Sequence, residues 1–508
     1  MNRIDDWLNP IAVKELRQAV RGRFVAVAVI LSLIGQLLAI ALLMITTSLR
    51  TTVAAGFAPA PGAIVFMALY SVLFTICIFL IPAYTGIRMA AERGDTHTDL
   101  LFITTIRPRT IVFGKLITVV LLVVLIFSAS LPFLVFSYVL RGIDLFSILV
   151  LLAVAFVVVI SHSVLALFLG ALPASKPFKV LVAVAFFLGT FATFPMVFAF
   201  ESQLLRSGFG ATVLYGQFLA GVGAFLATML VIDAILIVVT IALITPAVAN
   251  RALAIRVMLA VMWAISLGAA ALATLAMARD ELLRLWAVYF ITLISLVLLS
   301  ASGERESWAP RVARTIPNNP LRRVLAFLFY SGNAGGVLWS ILFYAATIVS
   351  YNFIEVLVAG AGRFSIDITR ALVDAALCVL AYTLTATLIR RKLLSRIPPR
   401  VTWAIALSLF VLLALIPGLI ALVIDAQSKQ LGELMQLATF ANPFPMASRT
   451  GELRDFRTLF LLIWAALAFA FNARSFMQQA ARFRRFDVKT AAPIDWASPL
   501  RLGEARPE

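Results

Sequence analysis

From Phe24 to Thr46 the chain runs without one charged side chain. A helix of that length spans the ~30 Å of hydrocarbon in a bilayer, and few soluble folds bury so long an apolar helix on all its faces. Such runs recur at roughly 24–46, 63–87, 114–138, 145–171, 178–200, 213–247, 252–278, 282–300, 337–359, 369–390, 401–424 and 457–474. None shows the apolar-polar alternation of barrel strands. Composition closes the argument: 62% of residues are hydrophobic and 13% charged, too little polar surface to clothe a soluble core. The expectation is an all-α polytopic membrane protein with about 12 transmembrane helices and the lipid bilayer as its surroundings.

Charge orients those spans. With the N-terminus in the cytoplasm, 31 of the 42 Lys and Arg residues fall on inner segments and 11 on outer ones. Every inner loop is basic, as the positive-inside rule requires, and both termini lie inside. Losing or adding one span would reverse the bias downstream of it. This dispersal over many short loops also accounts for the net charge of +18 and argues against nucleic acid as a partner. Cys77 and Cys378 lie inside apolar runs, and His97 and His162 lack ligand spacing, so neither a disulfide framework nor a metal site is expected.

The first 23 residues are mostly polar, and the run after them is too long for the core of a cleaved signal peptide. Phe24 is expected to open a retained signal-anchor helix. Within 1–23, Asn9 and Pro10 make a good N-cap and N1 pair. Leu8, Ile11, Leu16 and Val20 share a stripe, while Lys14, Arg17, Arg21 and Arg23 lie elsewhere. This pattern predicts an amphipathic helix on the inner membrane surface, its cations toward anionic headgroups.

The most polar block of the first half is Glu92–Lys115, inside the inner loop 88–115. Thr96 or Thr98 can cap a short helix over Asp99–Thr104, and Pro108 and Gly114 punctuate the return to the membrane. Leu100, Leu101 and Phe102 are apolar in a loop that faces water, which marks either a protein contact or a tuck against the bilayer surface.

This block resembles the signature of ABC-2 type permeases, the membrane subunits of ABC exporters. The matching residues are Glu92-Arg93, Asp99, Leu100-Leu101, Thr104, Pro108 and Ile111-Val112-Phe113-Gly114-Lys115. Thr105 stands where the family has Pro, which softens the bend. Asn9-Pro10 followed by Val13-Lys14-Glu15-Leu16-Arg17 resembles the family's elbow helix, and Ala441-Asn442-Pro443-Phe444 resembles the motif before its last span. The resemblance covers about a quarter of the chain. It implies an ABC-2 (type V exporter-like) permease fold in a bacterial cytoplasmic (inner) membrane. It also implies a coupling helix carrying Asp99, Leu100, Leu101 and Phe102, with Glu92 and Arg93 anchoring its start. That helix would dock on a separate ABC ATPase subunit. The chain has no P-loop of its own: Lys115 is followed by Leu116, and Arg109 stands where the first glycine belongs. ATP and Mg therefore belong on the partner, no cofactor is expected in this chain, and the chain is not an enzyme.

The family's usual subunit has six spans, half the number counted here. The expected organisation is an elbow over 1–23, a first six-helix half over 24–248, a second over 249–474 and a basic cytoplasmic tail over 475–508. The second half holds an inner loop, 301–336, and an outer loop, 425–456. Glu304-Arg305 and Thr315-Ile316-Pro317 echo the first coupling loop. Either one chain supplies both halves, with a degenerate second coupling loop, or the protein pairs with a second permease chain.

Two ionisable groups lie deep in spans, Asp233 and His162, and intramembrane charges are functional candidates by default. Asp233 either lines a polar pathway or is protonated or hydrogen-bonded to a neighbouring helix. His162 is expected to pack helices by hydrogen bonding rather than relay protons. Glu355 and Asp374 lie nearer the outer side, where water would solvate them. Pro82, Pro132, Pro195 and Pro417 fall in spans, where they would kink helices. The alternative function is a twelve-span, ion-coupled secondary transporter. A membrane enzyme ranks lower, since the 425–456 loop has no histidine and no acid/base pair.

Overall fold

The computed structural model describes residues 10–49, 61–94, 107–140, 143–173, 175–206, 216–246, 249–277, 281–305, 307–359, 366–417, 419–420 and 451–485. All the described secondary structure is helical. The chain divides into two compact units, Met1–Pro246 and Ala247–Glu508.

Unit 1 contains α1 (Pro10–Arg21), α2 (Phe24–Leu49), α3 (Pro61–Gly94), α4 (Pro108–Val139), α5 (Leu145–Ala171), α6 (Lys176–Arg206) and α7 (Gly216–Ile244). Unit 2 contains α8 (Ala252–Met277), α9 (Glu281–Ser302), α10 (Pro310–Ala313), α11 (Pro320–Phe329), α12 (Asn333–Ala359), α13 (Ile366–Lys392), α14 (Thr402–Phe410) and α15 (Gly451–Arg482). Among the described residues, eleven helices are long and apolar enough to cross a membrane: α2 to α9, α12, α13 and α15. The stretch read as a span over 401–424 is a shorter apolar helix, Pro399–Leu415. It widens into a π turn over Val411–Leu415, just ahead of Pro417, whose ring and missing N–H disfavour a regular α turn. Pro82, Pro132 and Pro195 lie inside helices that continue through them.

In unit 1, α3 is the hub, packed on α2, α4, α5 and α6. Phe66, Leu69, Tyr70, Leu73, Phe74, Cys77, Ile78 and Ile81 repeat every three or four residues and form one buried face. The opposite surfaces of the bundle keep large apolar groups exposed, such as Leu38, Leu121 and Leu188, as lipid-facing helices do. Where α3 crosses α5, a Cβ on Gly170 would stand 2.6 Å from the Gly86 carbonyl oxygen, so only glycine permits this approach. Between α2 and α4 a small polar network is sealed: Gln36 Nε2 donates to Ser130 Oγ at 2.7 Å, and Ser130 Oγ lies 3.2 Å from Ser32 Oγ.

Unit 2 is laced by side-chain hydrogen bonds between spans. Trp263 Nε1 donates to Thr347 Oγ1 at 2.9 Å, and Trp464 Nε1 to Thr385 Oγ1 at 3.0 Å. Asn472 Nδ2 donates to the Leu384 carbonyl at 3.1 Å. Helix α15 runs to Arg482, so the first residues of the expected basic tail extend the last helix. Phe483 then packs edge-on against Trp308, Phe327 and Tyr330. Residues 486–508 and most of the outer loop, 421–450, lie outside the described residues.

Candidate functional site

Helix α1 is described over Pro10–Arg21. Gly22 and Arg23 then turn the chain into α2, with Arg23 in the left-handed region at φ 59°. The face that packs on the bundle carries small and acidic side chains. Ala12, Glu15 and Ala19 are buried, and the helix lies against α4 and the start of α2. Val20 of the stripe is 59% exposed, and Lys14 and Arg17 also face outward. The two alanines allow close approach, and Glu15 enters between them.

Glu15 meets Lys115 there. Lys115 Nζ lies 2.9 Å from Glu15 Oε1 and 2.9 Å from Glu92 Oε2, with the lysine side chain 3% exposed. Arg88 Nη2 stands 3.6 Å from Glu15 Oε2 and also donates to Gln18 Oε1. Lys14 Nζ is 3.8 Å from Glu92 Oε1 at the exposed rim. Three cations and two carboxylates thus join α1, the end of α3 and the start of α4. Burial works to raise the Glu15 pKa, but the Lys115 ammonium, its hydrogen bond and Arg88 outweigh it. The carboxyl titrates below its ordinary 4.5.

Glu92 and Lys115 bracket residues 95–106, so the ion pair clamps both ends of the expected coupling segment. The side chain of Arg93, and Asp99, Leu100, Leu101, Phe102 and Thr104, lie outside the described residues, as does Asn9. Pro108 opens α4 at N1, and Gly114 is buried beside Lys115. The space inside the cluster, about 10 Å³, barely admits a water molecule. The cluster is therefore a closely packed ionic contact between α1, α3 and α4.

Unit 2 holds a joint of its own. Arg256, 1% exposed, gives its Nη2 to both oxygens of Glu304 at 2.9 Å. Its Nη1 donates to the carbonyls of Leu328 at 3.0 Å and Tyr330 at 2.6 Å. The Gly332 amide donates to Glu304 Oε2. Burial pushes the Glu304 carboxyl up, against the pull of Arg256 and the Gly332 amide. Gly336 admits the guanidinium, since a Cβ there would stand 2.6 Å from Arg256 Nη2. The Trp308 indole donates to the Ser331 carbonyl, and Tyr330 Oη donates to the Thr315 carbonyl at 3.0 Å. Pro317 is half-buried. Arg305 is near enough to Arg251 to repel it: burial first, then Arg305, holds that guanidinium below its ordinary value. Arg256 was not among the residues singled out in the sequence, because its partner is 48 positions away.

Within the spans, Asp233 accepts from Ser161 Oγ on α5 at 2.7 Å, one of the two readings left open for it. His162 Nδ1 donates to the Val158 carbonyl at 2.8 Å, within its own helix, so this bond ties no second helix. Among the described residues no hydrogen bond or ion pair joins His162 to Asp233. Glu355 and Asp374 are buried rather than solvated. Asp374 accepts from Thr458 Oγ1 at 2.7 Å and lies 3.7 Å from Arg457 Nε, so α13 and α15 share a polar pair. Among the described residues no group of three or more His, Cys, Asp or Glu could hold a metal ion.

No protein-family model matches the chain, and neither a curated protein nor a solved structure is detectably similar to it. The fold and its joints define a multi-pass helical membrane protein.

Proposed function

We propose that this chain is the membrane subunit of an ATP-driven exporter of the ABC-2 type, working with a separate ATPase. The observation that carries the reading is the buried Glu15–Lys115–Glu92 cluster. A segment whose two ends are clamped together, and clamped also to α1, moves α1, α3 and α4 as one piece when it is pushed. That is the mechanical requirement for passing ATP-driven closure of a water-soluble motor into membrane helices. The residues of 95–106, with Leu100, Leu101 and Phe102 among them, are the docking element in this reading, and Glu92 and Lys115 are its anchor. In unit 2 the corresponding inner segment is tied by Arg256 and Glu304 and acts as a brace.

On this reading the chain hydrolyses nothing itself, and ATP and Mg sit on the partner. The membrane is the bacterial inner membrane; both termini lie in the cytoplasm if the shorter apolar helix Pro399–Leu415 crosses together with the eleven long ones. The test is to isolate the tagged chain from its own membrane in mild detergent and measure ATP hydrolysis in the eluate. A co-eluting subunit with a P-loop, and hydrolysis that is lost when that subunit is removed, is the expected result. A chain that elutes alone and shows proton-coupled uptake abolished by an uncoupler would instead mark a secondary carrier.

A further inference from the structure

A groove of about 240 Å³ opens on unit 1 between α3, α5 and α6. Its floor is small: Ala83, Gly86 and Ala90 on α3, Ala166 and Gly170 on α5, and Ala183 on α6. It exists because the glycine crossing brings α3 and α5 backbone to backbone, leaving α6 to form the far wall. The deep end is closed by rings. Phe79 lies 5.0 Å from Phe187 and 5.2 Å from Phe191, centroid to centroid. Phe186 completes the apolar wall.

One lining residue is charged. Lys179 stands at the opposite end, in the first turn of α6, where the helices of this unit reach the basic face. It has no carboxylate partner among the described residues. The groove therefore has an apolar slot running inward from that face and a cation at its mouth. It lies in the half of the bundle facing the leaflet that α1 borders, and it is open sideways, since Ile87 and Phe187 are 69% and 50% exposed.

We propose that this groove holds one acyl chain of an anionic phospholipid from that leaflet, with Lys179 at the phosphate. An aliphatic tail suits the slot because the lining offers it almost no hydrogen-bonding group to leave unpaired. A cation without a carboxylate partner at headgroup height favours a net negative head over a zwitterionic one. The proposal is independent of the permease reading, because it uses no residue of the joint and no motor.

The test is native mass spectrometry of the full chain released from detergent, after exchange with phosphatidylglycerol or with phosphatidylcholine of identical chains. The wild type is expected to retain phosphatidylglycerol preferentially, by roughly fivefold for one headgroup cation. Lys179→Gln should remove the preference and Lys179→Arg should keep it. Ala183→Trp fills the slot from an exposed position without touching the core, and it should abolish retention of both lipids at unchanged melting temperature. Equal retention of the two lipids by the wild type would overturn the proposal. So would retention untouched by Ala183→Trp, or a dimer of this chain that occupies the groove and dissociates in that variant.

Discussion

Lys115 and Glu15 are one hundred positions apart in the chain and 2.9 Å apart in space. Both side chains are nearly sealed from solvent, at 3% and 4% exposure. Their contact joins the helix that precedes the first span to the helix that opens the third. It does so on the side of the molecule where the loop between α3 and α4 returns.

Removing one partner of such a pair strands the other. Lys115→Met should destabilise unit 1 by about 3–5 kcal/mol, because Glu15 and Glu92 then face each other without the ammonium. The double variant with Glu15→Gln should recover a large part of that loss, since the stranded charge is gone. Thermal melting of the purified protein measures both. Equal melting of wild type and Lys115→Met would show that the contact carries no weight.

The same carboxylate sets a pH dependence. Its pKa in the folded protein lies below the ordinary 4.5, so the unfolded chain takes up the proton first as pH falls. The contribution of Glu15 to stability is complete above about 4.5 and is lost as pH drops through the lower, folded value. Protection of the α1 amides, corrected for the slower intrinsic exchange in acid, should fall in that range in the wild type. In Glu15→Gln that protection should already be lower at neutral pH and change little with acid.

In unit 2, Arg256 uses two nitrogens on four oxygens, a geometry that an ammonium cannot copy. Arg256→Lys should therefore behave as a loss rather than a conservative change. Proteolysis of the 303–332 segment is the readout, and faster cutting than in the wild type is expected. Cutting at the wild-type rate would mean that Glu304 and the Leu328 and Tyr330 carbonyls do not depend on the guanidinium.

Gly170→Ala places a methyl 2.6 Å from the Gly86 carbonyl oxygen, against backbone that cannot rotate away. Helices α3 and α5 must separate, at a cost of about 1–3 kcal/mol. A lower melting temperature is the expected outcome. Gly189→Ala serves as the control, since nothing lies within 4 Å of its added Cβ.

The spans were legible because the bilayer imposes length and polarity at once. The charge-free run Phe24–Thr46 reappears as a helix at its expected ends, whereas the helices over Pro108–Val139 and Phe456–Arg482 outrun the expected 114–138 and 457–474, and 401–424 yields only the shorter helix Pro399–Leu415. The packing face of α1 was not legible, and the reason is physical. In water the apolar stripe of Ile11, Leu16 and Val20 would be the buried one. Beside lipid, apolar side chains lose nothing by facing outward, so small and polar residues such as Ala12, Glu15 and Ala19 take the protein side. Asp374 was misread as solvated because depth along a span does not reveal that Thr458 and Arg457 will stand beside it. The Arg256–Glu304 pair depends on a contact between helices that no local pattern encodes. The proposed docking role of Asp99, Leu100, Leu101 and Phe102 rests on their sequence pattern and on the Glu92–Lys115 contact at their flanks.

The measurement that bears most directly on the account is co-purification of an ATPase with a chain carrying Leu100→Asp and Leu101→Asp together. Neither position is one of the residues that form the Glu15–Lys115–Glu92 cluster, and the variant is checked against the wild-type melting curve. The wild-type chain should bring down an ATP-hydrolysing subunit, and the double variant should fold as well but elute without it. An ATPase retained in full by the double variant would contradict the assignment of this loop as the coupling element.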